Sequence, residues 1–153
     1  WLEPSYDEIS QYSYFDSSCD GVDNDCDGNV DENVEAPLAK KQNGVCKNSV
    51  KVCGGLLGWQ EPELATINGY ERAESTCDGI DSDCDGIIDE GIFIPNADNQ
   101  YGVCKGSLKI CGGTQGWLEP SYDEISQYSY YDASCDGVDN DCDGSVDEQC
   151  KVK

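Results

Sequence analysis

Cys19-Asp-Gly-Val-Asp-Asn-Asp-Cys26-Asp-Gly-Asn-Val-Asp-Glu32 sets carboxylates on alternate residues, follows them with a glycine and is framed by cysteines. The pattern returns at Cys77–Glu90 and at Cys135–Glu148, offset by 58 residues each time. Counted from Asp23, acidic residues stand at positions 1, 3, 5, 9 and 10 (Asp23, Asp25, Asp27, Asp31, Glu32), with Gly28 at position 6. This is the opening of an EF-hand-type calcium loop, in which alternate carboxylates converge on one centre and the glycine turns the chain back. Asn29, at position 7, is placed to offer its backbone carbonyl. The corresponding candidates are Asp81, Asp83, Asp85, Ile87, Asp89 and Glu90 in the second loop, and Asp139, Asp141, Asp143, Ser145, Asp147 and Glu148 in the third. Position 12 departs from the EF-hand: it is Val34, Ile92 or Cys150, so the bidentate role falls to the glutamate two places earlier. The leading Asp20, Asp78 and Asp136 either add a ligand or cap a turn as Asx residues.

Charge supports a bound cation. Thirty-two acidic residues against nine basic ones give a formal charge of −23, and eighteen of the acids fall in the three loops. Six carboxylates within fourteen residues repel one another unless neutralised. Oxygen-only ligands suit calcium better than zinc or copper, and magnesium prefers octahedral sites that retain water. The expectation is about three calcium ions; the bland alternative is three solvated acidic turns. The same charge argues against nucleic acid and anionic membranes as direct partners, since both need a basic face.

The rest of the chain shares the 58-residue period. Gly44-Val-Cys-Lys-Asn-Ser-Val-Lys-Val-Cys-Gly-Gly55 recurs as Gly102–Gly113, and Trp1, Trp59 and Trp117 mark one phase. Residues 1–32 and 117–148 differ only at Phe15/Tyr131, Ser17/Ala133 and Asn29/Ser145, whereas Gln60–Thr76 has diverged. The organisation expected is a repeat over 1–58, a second over 59–116 and a partial third over 117–153. Alternation around a short turn predicts β-hairpins at 45–52 and at 101–112. Ser5-x-x-Glu8 and Ser121-x-x-Glu124 fit capping boxes opening short helices. The Tyr/Ser runs at 12–15 and 128–131 are expected to pack within their own module beside the Trp. The fold class is therefore small, disulfide-rich, mostly β-hairpin and loop, with tandem calcium-loop repeats in an elongated array.

Two Phe and three Trp cannot build a large core, and eleven cysteines supply staples instead. Spacing leaves the pairing open among local bridges, bridges from a loop to the next hairpin, and thiolate metal ligation. The simplest set is local: Cys19–Cys26, Cys77–Cys84 and Cys135–Cys142 in the loops, Cys46–Cys53 and Cys104–Cys111 in the hairpins. Cys150 is then the odd one, a candidate for an intermolecular disulfide. Cysteines at this density imply an oxidising compartment, hence an extracellular or cell-surface location. The chain begins at Trp1 without a leader, so it reads as a processed or partial chain.

The string C-D-G-x-D-x-D-C-D-G-x-x-D-E, with the G-V-C-x-x-S-x-x-x-C-x-G spacer, resembles the MopE-type metal-binding motif family, found in arrays in secreted and surface bacterial proteins. The resemblance implies an extracellular position and metal binding. That family is named for copper, but this sequence has no His and no Met to offer a copper site. The loop core is also similar to thrombospondin type 3 and excalibur-type calcium loops. With no His and no phosphate loop, no enzyme is expected. The functions expected are a structural segment of a surface filament or stalk that self-associates head-to-tail, or an adhesin or spacer that binds a ligand through the diverged stretch.

Overall fold

Buried apolar side chains are scarce in this fold. The structure, a computed structural model, describes residues 5–151. Among them the buried apolar positions are Ala39, Ala97 and five cysteines, while Leu56 and Phe93 are more than four-fifths exposed. Asp16 and Asp132 are fully buried. A chain that buries so little apolar surface depends on covalent constraint of its unfolded state.

Two compact units form. The first takes residues 5–72 together with Asp81–Gly86. Its regular structure is a two-residue antiparallel ribbon, β1 (Val52–Cys53) with β2 (Trp59–Gln60), in register Val52↔Gln60 and Cys53↔Trp59. Single 3-10 turns lie at Tyr6–Glu8, Gly44–Cys46, Gly55–Leu57 and Leu64–Thr66. The second unit takes Ala73–Ile80 with residues 87–151. It holds β3 (Ile110–Cys111) paired with β4 (Trp117–Leu118), and turns at Gly102–Cys104, Gly113–Gln115 and Tyr122–Glu124. No α-helix forms among the described residues. The fold is small, mostly loop and short β-ribbon, with five disulfides.

Several local expectations are corrected. Val45–Val52 and Tyr101–Gly112 do not fold back as hairpins. Gly44 and Gly102 adopt φ of +49° and +48°, open to glycine at little cost, and start 3-10 turns instead of strands. Val52 and Ile110 then pair forward across the Gly-Gly-x-x-Gly turn, with Gly54 N–H donating to the Gly58 carbonyl at 3.0 Å. Ser5 and Ser121 precede single 3-10 turns and make no side-chain cap. Tyr14 and Tyr130 meet Phe15 and Tyr131 edge-on at 4.8 Å and stay more than 70 % exposed, so these two tyrosines face solvent instead of packing into their module. Trp1 lies outside the described residues.

The disulfides are not local. Cys19 pairs with Cys53 and Cys77 with Cys111, 34 residues apart; Cys46 pairs with Cys84 and Cys104 with Cys142, 38 apart. The openings of the first two loops, Cys19 and Cys77, are tied to the strand that follows, and the inner cysteines of the last two, Cys84 and Cys142, to the Gly-Val-Cys turn that precedes them. The loops need no internal bridge, because the carboxylate clamp described below closes them. Joining such distant residues also constrains the unfolded chain more, by about 4 kcal/mol per bridge against about 2.5 for an eight-residue ring. Cys150 is not an intermolecular thiol: it bonds to Cys135, 15 residues away. Cys26 is the free cysteine, and it is exposed.

Candidate metal centres in the acidic loops

The loop backbone fixes where the carboxylates go. Cys26, Cys84 and Cys142, at position 4, take left-handed φ of 63°, 62° and 63°, and Gly28, Gly86 and Gly144 at position 6 take 97°, 98° and 92°. These turns fold positions 1, 3 and 5 onto one centre. Carboxylate oxygens of Asp23, Asp25 and Asp27 lie within 4.8 Å of one another, as do those of Asp81, Asp83, Asp85 and of Asp139, Asp141, Asp143. Two oxygens bound to one calcium at about 2.5 Å can be no more than about 5 Å apart, so all three groups fit a shared ion.

Backbone donors hold each carboxylate in place. Asp23 accepts the Asp27 N–H at 3.2 Å and the Gly28 N–H at 2.9 Å, Asp25 accepts Asp27 N–H at 3.2 Å, and Asp27 accepts Asn29 N–H at 2.8 Å. The third loop repeats this with Gly144 N–H on Asp139 at 3.0 Å and Ser145 N–H on Asp143 at 2.7 Å. In the middle loop Gly86 N–H reaches Asp81 at 3.0 Å. That loop is divided: Asp81, Asp83 and Asp85 belong to the first unit, Ile87, Asp89 and Glu90 to the second.

Positions 9 and 10 separate in role. Asp31 stands with the Cys19–Cys53 disulfide and Asp89 with Cys77–Cys111, apart from the position 1, 3, 5 groups. Asp31 accepts the N–H groups of Asp20 and Gly21 at 3.0 Å, and Asp89 and Asp147 do the same to Asp78 and Gly79 and to Asp136 and Gly137. Position 9 is a clamp across the loop. The sulfurs beside it are bonded to each other and offer no thiolate. Glu32 and Glu148 face the clusters. The backbone N–H of Glu32 favours its charged form, but loss of solvent and the charges of Asp25, Asp27 and Asp16 outweigh that and raise its pKa. Glu148 is raised in the same way beside Asp141 and Asp143. Asp20, Asp78 and Asp136 take the Asx role, each accepting the N–H two residues on at 3.0 Å.

One functional carboxylate escaped the sequence reading. Asp16 and Asp132, three residues before the first loop cysteine, accept the N–H of Asp31 and Asp147 through Oδ2 at 2.7 Å. Their Oδ1 atoms are buried with no hydrogen-bond partner, as is Oδ1 of Asp139. A buried carboxylate oxygen without a donor is costly, and a nearby cation would relieve it. The signal was available: an acid recurs there as Asp16, Glu74 and Asp132.

Residues 14–32, 70–90 and 131–148 all match one family model, Cu-binding MopE, described as a putative metal-binding motif. The three acidic loops carry this metal-binding motif. Each matched segment includes the buried acid before the first cysteine as well as the clamp and the carboxylate cluster. No curated protein and no solved structure matches the chain. The MopE-type loops, the five disulfides and the convergent oxygens together make this a repeated metal-binding module, and its disulfides fit a non-cytoplasmic setting.

Proposed function

We propose that the chain is an extracellular structural repeat protein without catalytic activity, held by calcium and disulfides, and a segment of a surface filament or stalk. The observation that carries the calcium assignment is the chemistry of the clusters: three aspartate oxygens within 4.8 Å in each loop, with no nitrogen or sulfur ligand among them. Copper, in the name of the matched family, wants imidazole, thiolate or thioether. This chain has no His and no Met, and ten of its eleven cysteines are in disulfides. A metal that neutralises loop charge in every repeat stabilises the folded array, which is the role of a load-carrying segment and not of an active site. Recurrence of near-identical surfaces along the chain supports head-to-tail self-association.

A second reading, a ligand-binding spacer or adhesin, has one observation behind it. The diverged stretch lines a cavity of about 460 Å³ formed by Glu63, Leu64, Ala65, Tyr70 and Arg72.

Thermal unfolding and limited proteolysis in calcium and in EDTA test the main reading. Calcium at a hundredfold excess over Kd adds about 2.7 kcal/mol per site, so the unfolding midpoint should rise clearly and the loops should resist cleavage. Identical behaviour in both buffers would remove calcium from the fold.

A further inference from the structure

The inner cysteine of the second and third acidic loops is bonded to a preceding Gly-Val-Cys turn, Cys84 to Cys46 and Cys142 to Cys104. Cys26 holds the same place in the first loop and has the same left-handed backbone. Yet it is an exposed free thiol, while Cys84 and Cys142 are 2 % and 1 % exposed. A lone thiol marks no site; the surface around it does.

In the later loops the turn is seated by contacts to the loop backbone and its glycine. Val45 N–H donates to the Asp81 carbonyl at 3.1 Å, and Val103 N–H to the Asp139 carbonyl at 3.1 Å. Gly44 and Gly102 press so closely on those carbonyls that a Cβ would fall 1.7 and 1.8 Å from the oxygens. The Val45 side chain comes within 3.3 Å of where Gly69 would carry a Cβ. The residue before each turn covers the loop glycine: Asn43 over Gly86, Tyr101 over Gly144.

The first loop has the seat without the turn. Asp23 stands where Asp81 and Asp139 stand, and no backbone N–H among the described residues donates to its carbonyl. Gly28 has nothing within 4 Å of its would-be Cβ. Where Val45 sits in the next repeat, a cavity of about 130 Å³ opens between Ile9, Gln11, Tyr12, Val22 and Cys26; Gln11 is the repeat equivalent of Gly69.

We propose that this face is the docking seat for one further Gly-Val-Cys turn, carried on another polypeptide segment of this repeat type, which it captures as a disulfide to Cys26. The valine fills the cavity, its N–H bonds to the Asp23 carbonyl, and the glycine lies against that carbonyl. The turns of a second copy do not serve, because Cys46 and Cys104 are already bonded. Capture proceeds by exchange with a partner cysteine held as a mixed disulfide with a small thiol. The Cys26 thiol loses its proton to solvent, its thiolate attacks the partner sulfur, the new S–S bond forms as the old one breaks, and the small thiol leaves with the electron pair. No other oxidant is needed, and neither is a bound metal.

The test uses the intact, disulfide-bonded protein and a synthetic peptide with the sequence of residues 43–51, its cysteine activated as a 2-thiopyridyl disulfide. Release of pyridine-2-thione reports coupling. Coupling should run at least about tenfold faster than with a scrambled peptide of the same composition. A Gly44→Ala peptide should fall to the scrambled rate, and Cys26→Ser protein should not couple. Rates within about twofold for all three peptides, or a Cys26–Cys26 dimer forming in preference, would overturn the proposal.

Discussion

Asp31 holds the backbone N–H of Gly21 with both of its carboxylate oxygens, at 3.0 and 3.2 Å, across ten residues of the first acidic loop. Asp89 holds Gly79 and Asp147 holds Gly137 in the same bidentate manner. Asp31 does so from a left-handed backbone, φ 57°. In the first two loops this clamp brings the first cysteine to the strand that follows, where Cys19 is bonded to Cys53 and Cys77 to Cys111.

Removing the clamp should therefore unfold the loop with or without metal. Asp31→Ala deletes charge-assisted hydrogen bonds and leaves a non-glycine residue at positive φ, a loss of about 2–4 kcal/mol. Asp31→Asn keeps an acceptor and tolerates that backbone, so its loss should be about 1 kcal/mol. Unfolding in EDTA together with amide exchange at Gly21 measures both. Equal losses for the two variants would mean that the clamp is not what the carboxylate provides.

Asp16→Asn separates a structural from a ligating carboxylate. The buried Oδ1 of Asp16 has no donor, so in EDTA a neutral amide should leave stability unchanged or raise it, since an uncompensated buried charge is lost. In calcium the gain on binding should shrink by about 1–2 kcal/mol. A titration calorimeter reads the change, and an equal loss in both buffers would limit Asp16 to holding the Asp31 N–H.

Acid sensitivity should concentrate in the second unit. Glu119 accepts the Tyr122 hydroxyl, pairs with Lys109 at 2.9 Å and accepts the Asp98 N–H at 3.0 Å. In that order of importance these contacts bring its pKa down to about 2. A carboxylate depressed in the folded state contributes stability above its ordinary value near 4.5 and loses it as pH falls toward 2. Glu119→Gln should destabilise at pH 7 and flatten the acid limb below about 4.5. Glu61, with Lys40 N–H and Lys51 but Leu64 in place of the tyrosine, is lowered too and serves as the milder comparison. Glu32 and Glu148 act with the opposite sign, because their pKa values are raised. Metal-free protein keeps their contribution below pH 4.5 and loses it as pH rises. Parallel stability curves for wild type and Glu119→Gln from pH 2 to 7 would contradict this assignment.

The carboxylate clusters were legible in sequence because a D-x-D-x-D-G loop is local: the residues that converge are neighbours in the chain, and the 58-residue period announces each copy. Disulfide connectivity was not. Cys19 and Cys26 have the same spacing as Cys46 and Cys53, so spacing cannot tell local from crossed pairs; the crossing is set by Gly44 at positive φ and by the Val45 contact to Asp81. The alternation at 45–52 imitated a hairpin for the same reason, since Val45 and Cys46 belong to the Gly44–Cys46 turn and not to a strand. Asp16 was visible as a recurring acid, but only its burial distinguishes it from a solvated one.

The most direct measurement of the central claim is native mass spectrometry of the disulfide-intact protein, first in calcium and then after EDTA. Three calcium ions per chain, lost on chelation and reduced by one in an Asp139→Asn/Asp141→Asn/Asp143→Asn variant, is the predicted result. A chain that carries no calcium, or that binds copper in preference when offered both, would contradict it.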